Sequence, residues 1–216
     1  MYSYIEEIVE KIVVCDHTML PFNFSKGAVL DIGSRRYGFS NGMAKLGCSV
    51  WAVEPDSDVP LPSNKNIILI RGAAVPPNED GVEQELIKWS YGDGNHLASV
   101  HGSVPASSTR QKTKCYSVHE LSKMAGRIWW DVVKLDCEGS EYDILLNWPG
   151  PIASQITVEF HDFTGANPEG EKTYKKIFEH LGQWYKVIQH ERYCMPRQTT
   201  LNYWDSLFVL KGLLDV

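Results

Sequence analysis

Residues 28–55 read AVLDIGSRRYGFSNGMAKLGCSVWAVEP, and the order of segments in this stretch decides the fold. AVLDI is a short, mostly branched apolar run, the pattern of a strand buried in a sheet. FSNGMAKLG follows as a helix closed at Gly47. SVWAVEP is a second strand, ended by Pro55, which has no N–H to give to a sheet.

The alternation continues outward. NIILIRGAAV (66–75) is a strand running into a loop, and SVHELSKMAG (117–126) a helix with Ser117 as N-cap and Glu120 completing a capping box. WDVVKLD (130–136) is a buried strand, SEYDILLNW (140–148) a helix stopped by Pro149, and SQITVEF (154–160) a strand. EGEKTYKKIFEHLGQW (169–184) is the longest helical pattern, and WYKVIQHERY (184–193) and YWDSLFVLK (203–211) read as two closing strands. Strands alternating with helices predict a mainly parallel sheet covered on both faces. The two final strands, with no helix between them, add an antiparallel edge. Residues 76–114 are less regular, and VEQELIKWS (82–90) fits a helix or a strand. At the start, YSYIEEIVEKIVV (2–14) places Ile5, Ile8, Val9 and Ile12 at helical spacing, predicting an amphipathic helix packed on the sheet. The expectation is one domain over 1–216: an N-terminal helix and linker to residue 24, then an α/β core over 25–216.

A chain of 216 residues with 43% hydrophobic and 22% charged residues can build one core without disulfides or metals. The net charge of −6 makes nucleic acid a poor partner. The local basic run Arg110, Lys112, Lys114 reads as a solvated loop rather than a phosphate grip. Cys15, Cys48, Cys115, Cys137 and Cys194 show no pairing or metal-ligand spacing, which suggests reduced thiols inside a cell. With no signal-peptide pattern and no apolar run near the roughly 20 residues a bilayer requires, a cytoplasmic protein without membrane contact is expected.

In open α/β sheets the ligand lies beyond the carboxyl ends of the strands, near the first crossover. Here that turn is Asp31-Ile-Gly33-Ser34-Arg35-Arg36-Tyr37-Gly38. A phosphate-binding loop needs lysine after its second glycine, and Phe39 stands there instead. A dinucleotide fingerprint needs glycine where Arg35 stands. An acidic residue before the glycine turn suits a cationic, phosphate-free ligand instead. Asp31 is placed to attract the ammonium of S-adenosylmethionine, and Glu54, at the tip of the next strand, to accept the two ribose hydroxyls.

VVKLDCEGSEYDIL (132–145) resembles the hallmark of the FkbM-type methyltransferase family, K-x-D-x-E-G-x-E before a helix, and matches it at Lys134, Asp136, Glu138, Gly139 and Glu141. AVLDIGS…GFS, WAVEP, ITVEFHD and YWDSLFVL extend the likeness across about residues 28–211. The departures lie in the first turn, where Gly38 comes one residue late and Arg35 and Arg36 replace small and amide residues, and after the third strand, where Arg71-Gly72-Ala73-Ala74 carries no acidic partner for an adenine amine. The resemblance implies a Rossmann-like class I methyltransferase sandwich of about seven strands, with S-adenosylmethionine held by Asp31, Gly33, Ser34, Gly38, Glu54, Pro55, Ala73 and Asp136. It also implies a hydroxyl acceptor on a small molecule, sugar or glycan. Methylation of nitrogen or of a macromolecule, and a non-catalytic cofactor-binding module, are the alternatives.

Transfer to a hydroxyl requires alignment and removal of a proton. Asp136 is expected to line the site near the methyl group, with Glu138 close by. Alternation places Glu159 and His161 on one face of their strand. His161, with an ordinary pKa near 6.5, is the expected general base. No metal site is assigned, although Asp136 with Glu159, His161 or Asp162 has the chemistry to hold a divalent cation. GDGNHLASVHGSVPASS (92–108) has the composition of a loop able to close over substrate.

Overall fold

The computed structural model describes residues 10–88, 95–97, 108–162, 168–193 and 202–214. In chain order the elements are β1 (Ile12–Val14), β2 (His17–Met19), β3 (Ala28–Ile32), α1 (Gly38–Lys45), β4 (Ser49–Glu54), β5 (Ile67–Arg71), β6 (Ala73–Ala74), β7 (Glu83–Lys88) and β8 (Asn95–Leu97). They continue with β9 (Thr109–Tyr116), α2 (Val118–Met124), β10 (Trp130–Leu135), α3 (Glu141–Leu146), β11 (Ala153–Asp162), α4 (Pro168–Leu181), β12 (Tyr185–Tyr193) and β13 (Asn202–Leu210).

Seven strands form the central sheet in the order β12-β13-β11-β10-β3-β4-β5. Neighbours from β11 through β5 are parallel, while β13 pairs antiparallel with both β11 and β12. This is the Rossmann-like α/β sandwich of class I methyltransferases. The antiparallel strand stands one place in from the edge rather than at it, because β13 inserts between β11 and β12.

Period-two alternation assigns the two faces. Leu30, Ile32, Val53, Val133, Leu135, Val158 and Phe160 pack with Leu121 of α2, Ile144 and Leu145 of α3, and Ile177 and Leu181 of α4. Val29, Val50, Ala52 and Val132 point the other way, onto Phe39 and Met43 of α1 and Met19 of β2. Burying each such side chain stabilises the fold by about 1.5–3 kcal/mol. Trp130 packs edge-on to Trp51 with centroids 5.3 Å apart, and its indole N–H donates to Ser122 Oγ at 3.0 Å. Ser117 caps α2 by accepting the Glu120 N–H at 3.1 Å, but the Ser117 N–H goes to Asp80 rather than back to Glu120, so the capping box is half formed.

Two segments differ from their sequence reading. Residues 12–19 form a hairpin: Val14 pairs with His17 across Cys15 and Asp16, both at positive φ, the geometry of a two-residue type I′ turn. Three consecutive β-branched residues, Ile12, Val13 and Val14, override the helical spacing here. Residues 2–9 of that expected helix lie outside the described residues. The irregular stretch after β5 holds a second sheet, β6-β9-β7-β8, which settles 83–88 as strand. The basic run lies on β9, with Arg110 paired to Glu85 and Lys112 to Glu83 across β7. Of the expected closing loop, only 95–97 and 108 are described. Among the described residues no helix is long and apolar enough to cross a membrane.

Gln155 of β11 fastens the hairpin to the sheet. Its amide accepts the Leu20 N–H at 2.6 Å and donates to the Leu20 carbonyl at 3.0 Å, in a buried setting. Gln155→Met, similar in volume, leaves both backbone groups unpaired and is expected to cost about 1–3 kcal/mol in urea unfolding. A loss below about 0.5 kcal/mol would show that the hairpin does not depend on this amide.

Candidate active site

The strand order reverses between β3 and β10, and a cavity opens there at the carboxyl ends of the strands. The turn after β3 is pressed against the chain after β10. Gly33 has φ +79°, and a Cβ on it would lie 1.7 Å from the Asp136 carbonyl oxygen, so only glycine fits. Arg35 and Glu138 on the cavity wall, and Tyr37 in the same turn as Arg35, are non-glycine residues at φ +30°, +55° and +57°. Each costs about 1–2 kcal/mol there, and strain of this kind collects at functional sites.

Glu54 is buried on the cavity wall, and two backbone amides orient it: Arg35 N–H donates to Oε2 at 2.7 Å and Asp56 N–H to Oε1 at 2.8 Å. Burial raises its pKa against the lowering effect of those amides. Each oxygen keeps acceptor capacity for a ligand.

Lys134 joins the strand ends. Its buried ammonium lies 3.0 Å from Asp136 Oδ2 and 3.2 Å from Asp31 Oδ1, and donates to the Gly33 carbonyl at 2.8 Å. Burial works against this charge, but the Asp136 and Asp31 carboxylates override it and raise its pKa. Asp136 is half-buried, and Lys134 foremost holds its carboxyl well below the usual range against the effect of burial.

His161 is ringed by carboxylates. Its Nδ1 lies 3.0 Å from Glu141 Oε1, and its Nε2 3.5 Å from Glu159, 3.6 Å from Asp136 and 3.7 Å from Glu138. Burial alone would lower its pKa, but Glu141, Glu138 and Asp136 push it up to about 10. Glu141 is itself fixed by accepting the N–H groups of Cys137 at 2.7 Å and Gly139 at 2.8 Å. Glu159 moves the other way from a typical carboxylate, raised to about 7 by burial and by Asp136.

Several expected residues meet at the cavity: Gly33, Glu54, Pro55, Ala73, Asp136 and Glu138 all line it. Asp31, Ser34 and Gly38 do not. The Asp31 carboxylate accepts from Ser40 and faces Lys134, turned into the α1 side of the sheet with Val29 by strand alternation. Ser34 is buried with its N–H on the Val53 carbonyl, and Gly38 opens α1 against Cys15. His161 and Glu159 stand beside the cavity rather than on its wall. The carboxylates around His161 favour its protonated ring, which weighs against the expected role as resting base and against metal ligation. His17, Asp136 and Glu159 bring one ligand atom each within 4.8 Å of one another, but Lys134 already neutralises the Asp136 carboxylate. The Asp162 side chain lies outside the described residues. Arg35, Leu86, Asn95 and Leu97 also line the cavity, and the chain order carries no signal that β7 and β8 fold back over β4.

No family model matches the chain, and no curated protein does. Solved structures do. The Methanococcus jannaschii fibrillarin pre-rRNA processing protein is 11% identical, with 98% of this chain and 86% of that one covered and a TM-score of 0.50. A "putative hemolysin" from Streptococcus thermophilus is 10% identical over 88% of this chain, with a TM-score of 0.51, and this chain spans 62% of its length. M. jannaschii TYW2 in complex with AdoMet is 12% identical over 86% of this chain and 70% of that one, with a TM-score of 0.45. At such identities the likeness concerns the fold.

The raised His161 pKa has a signed consequence. A proton held more tightly folded than unfolded stabilises below the unfolded pKa near 6.5, and this contribution fades as pH rises towards about 10. Nitrogen-15 NMR should therefore find the His161 ring still protonated at pH 8, and Glu141→Gln should return its titration towards 6.5. A wild-type ring already neutral at pH 8 would contradict the assigned charge.

Proposed function

We propose that the protein is an S-adenosylmethionine-dependent methyltransferase of FkbM-like type that methylates a hydroxyl on a small molecule, sugar or glycan. The observation that carries this reading is the charge on the cavity wall: beyond Asp136, which is paired with Lys134, the carboxylates of Glu54 and Glu138 stand against one guanidinium, Arg35. A wall richer in carboxylate than in guanidinium repels a pyrophosphate or triphosphate and favours a sulfonium with an ammonium.

The residues fit that group. Glu54, held by two amides, accepts from the ribose diol. Glu138 supplies the negative field for the ammonium and sulfonium, the role expected of Asp31, and Asp136, paired with Lys134, adds acceptor oxygen beside it. Arg35 supplies the cation for the carboxylate. When bound, S-adenosylmethionine supplies an activated methyl carbon, whose bond to sulfur breaks as the bond to the acceptor oxygen forms. Glu159, with a pKa of about 7, accepts the hydroxyl proton on a carboxylate oxygen, and the neighbouring His161 imidazolium steadies its ionised form.

Two measurements test this. In thermal melts, S-adenosylmethionine and S-adenosylhomocysteine should stabilise the protein while NAD and ATP do not, and Glu54→Ala should weaken S-adenosylhomocysteine binding about 10- to 100-fold by calorimetry. Stabilisation by NAD or ATP alone would reject the reading. In an acceptor screen, log kcat should climb with pH and level off above about 7, and Glu159→Gln should lower kcat about 10²- to 10⁴-fold and abolish the climb. An unchanged profile in that variant would remove Glu159 as the base.

A further inference from the structure

The second sheet brings an unused acceptor to the cavity. Leu86 of β7 and Leu97 of β8 are cross-strand partners, nearly fully buried, and both line the cavity. Asn95 lies two residues before Leu97, so it shares that face, and it lines the cavity as well. With Gly72, Ala73 and Ala74 these residues make an apolar slot with one polar group.

The orientation of that group is determined. Asn95 Nδ2 donates to Asp56 Oδ2 at 2.9 Å, while Lys88 Nζ holds Asp56 Oδ1 at 2.6 Å. An ionised carboxylate only accepts, so the amide nitrogen must face Asp56 and the amide oxygen must face away. The same charge pair keeps Asp56 ionised: burial would raise its pKa, but the Lys88 hydrogen bond lowers it. Asp56 also gives its N–H to Glu54. The acid that suits a ribose and the amide that presents an acceptor are therefore set by one three-residue segment.

We propose that this slot receives the purine of the cofactor and that Asn95 Oδ1 accepts a hydrogen bond from the exocyclic amine of adenine. This rests on the adenosyl cofactor assigned above. It supplies the partner that the Arg71-Gly72-Ala73-Ala74 stretch lacks, and it makes the inserted sheet the element that selects the base. Hypoxanthine places an oxygen where adenine has the amine, setting acceptor against acceptor. A site built around such a bond discriminates strongly against a ligand that cannot form it.

Calorimetry on the full chain with S-adenosylhomocysteine and S-inosylhomocysteine tests the assignment. The wild type should prefer the adenosyl compound by about 10- to 100-fold. Asn95→Leu should shrink the preference to below about threefold, mainly by weakening the adenosyl compound, with a melting temperature near wild type as the folding control. Asp56→Asn, which releases the amide to rotate, should shrink it as well. A preference that survives in both variants, or wild-type binding of both compounds with equal affinity, overturns the role of Asn95 and leaves the cofactor assignment standing. Binding of neither compound to the wild type overturns the cofactor assignment and this inference with it.

Discussion

One buried cation organises the functional end of this molecule. Lys134 sits where the strand order reverses, and its ammonium is shared by Asp31 of β3, Asp136 after β10 and the Gly33 carbonyl. A lysine this deep is tolerated only with close anionic partners, and removal of one partner from such a pair costs about 3–5 kcal/mol. The pairing draws together two chain segments that would otherwise splay, and it lets Gly33 meet the Asp136 carbonyl without a side chain between them. The cavity lies beside those pinned turns, with Arg35 and Glu138, both at positive φ, on its wall.

Around that pin the carboxylates outnumber the cations, and the excess is distributed unevenly. Asp136, next to Lys134, stays ionised, while Glu159, farther from the lysine and pressed by Asp136, rises to about 7. His161 takes up the remaining field and becomes an imidazolium. Divergent pKa values among neighbouring carboxylates separate their roles: one fixes charge, and another is free to exchange a proton at neutral pH. In the proposed reading, the same surplus favours a cationic ligand over phosphates.

The sheet was legible in the sequence because its strands are buried on both faces and read as continuous apolar runs, as AVLDI and WDVVKL do. The place of the antiparallel strand was not, since strand order depends on which edges meet. The N-terminal hairpin was hidden by a helical period that Ile12 also satisfies, and by a turn, Cys15-Asp16, without the glycine that usually marks it. At the cavity, Glu54, Gly33, Asp136 and Glu138 stand where their positions at strand and turn ends suggested. Asp31 stands at its strand tip with its carboxylate turned to Ser40 and Lys134, as alternation with Val29 implies. The charge of His161 was not legible, because Glu141 and Glu138, twenty or more residues away in sequence, raise its pKa, and no local reading weighs them.

The second sheet carries the same logic to the far wall. A hairpin between β5 and α2 would be an ornament if it touched only solvent, and its outer face, with Arg110, Lys112, Glu83 and Glu85 paired across strands, is consistent with solubility alone. Its inner face is different. Leu86 and Leu97 close the cavity, and Lys88, Asn95 and Gln111 all grip the segment that begins at Glu54: Gln111 donates to the Pro55 carbonyl at 3.0 Å and accepts from Ser57. Displacing the hairpin would therefore loosen Asp56, and through its N–H the Glu54 carboxylate. The wall that shapes the apolar slot is also what orients the acid in the strand tip, so the proposed cofactor site depends on two sheets docked through one short acidic segment rather than on the first turn alone.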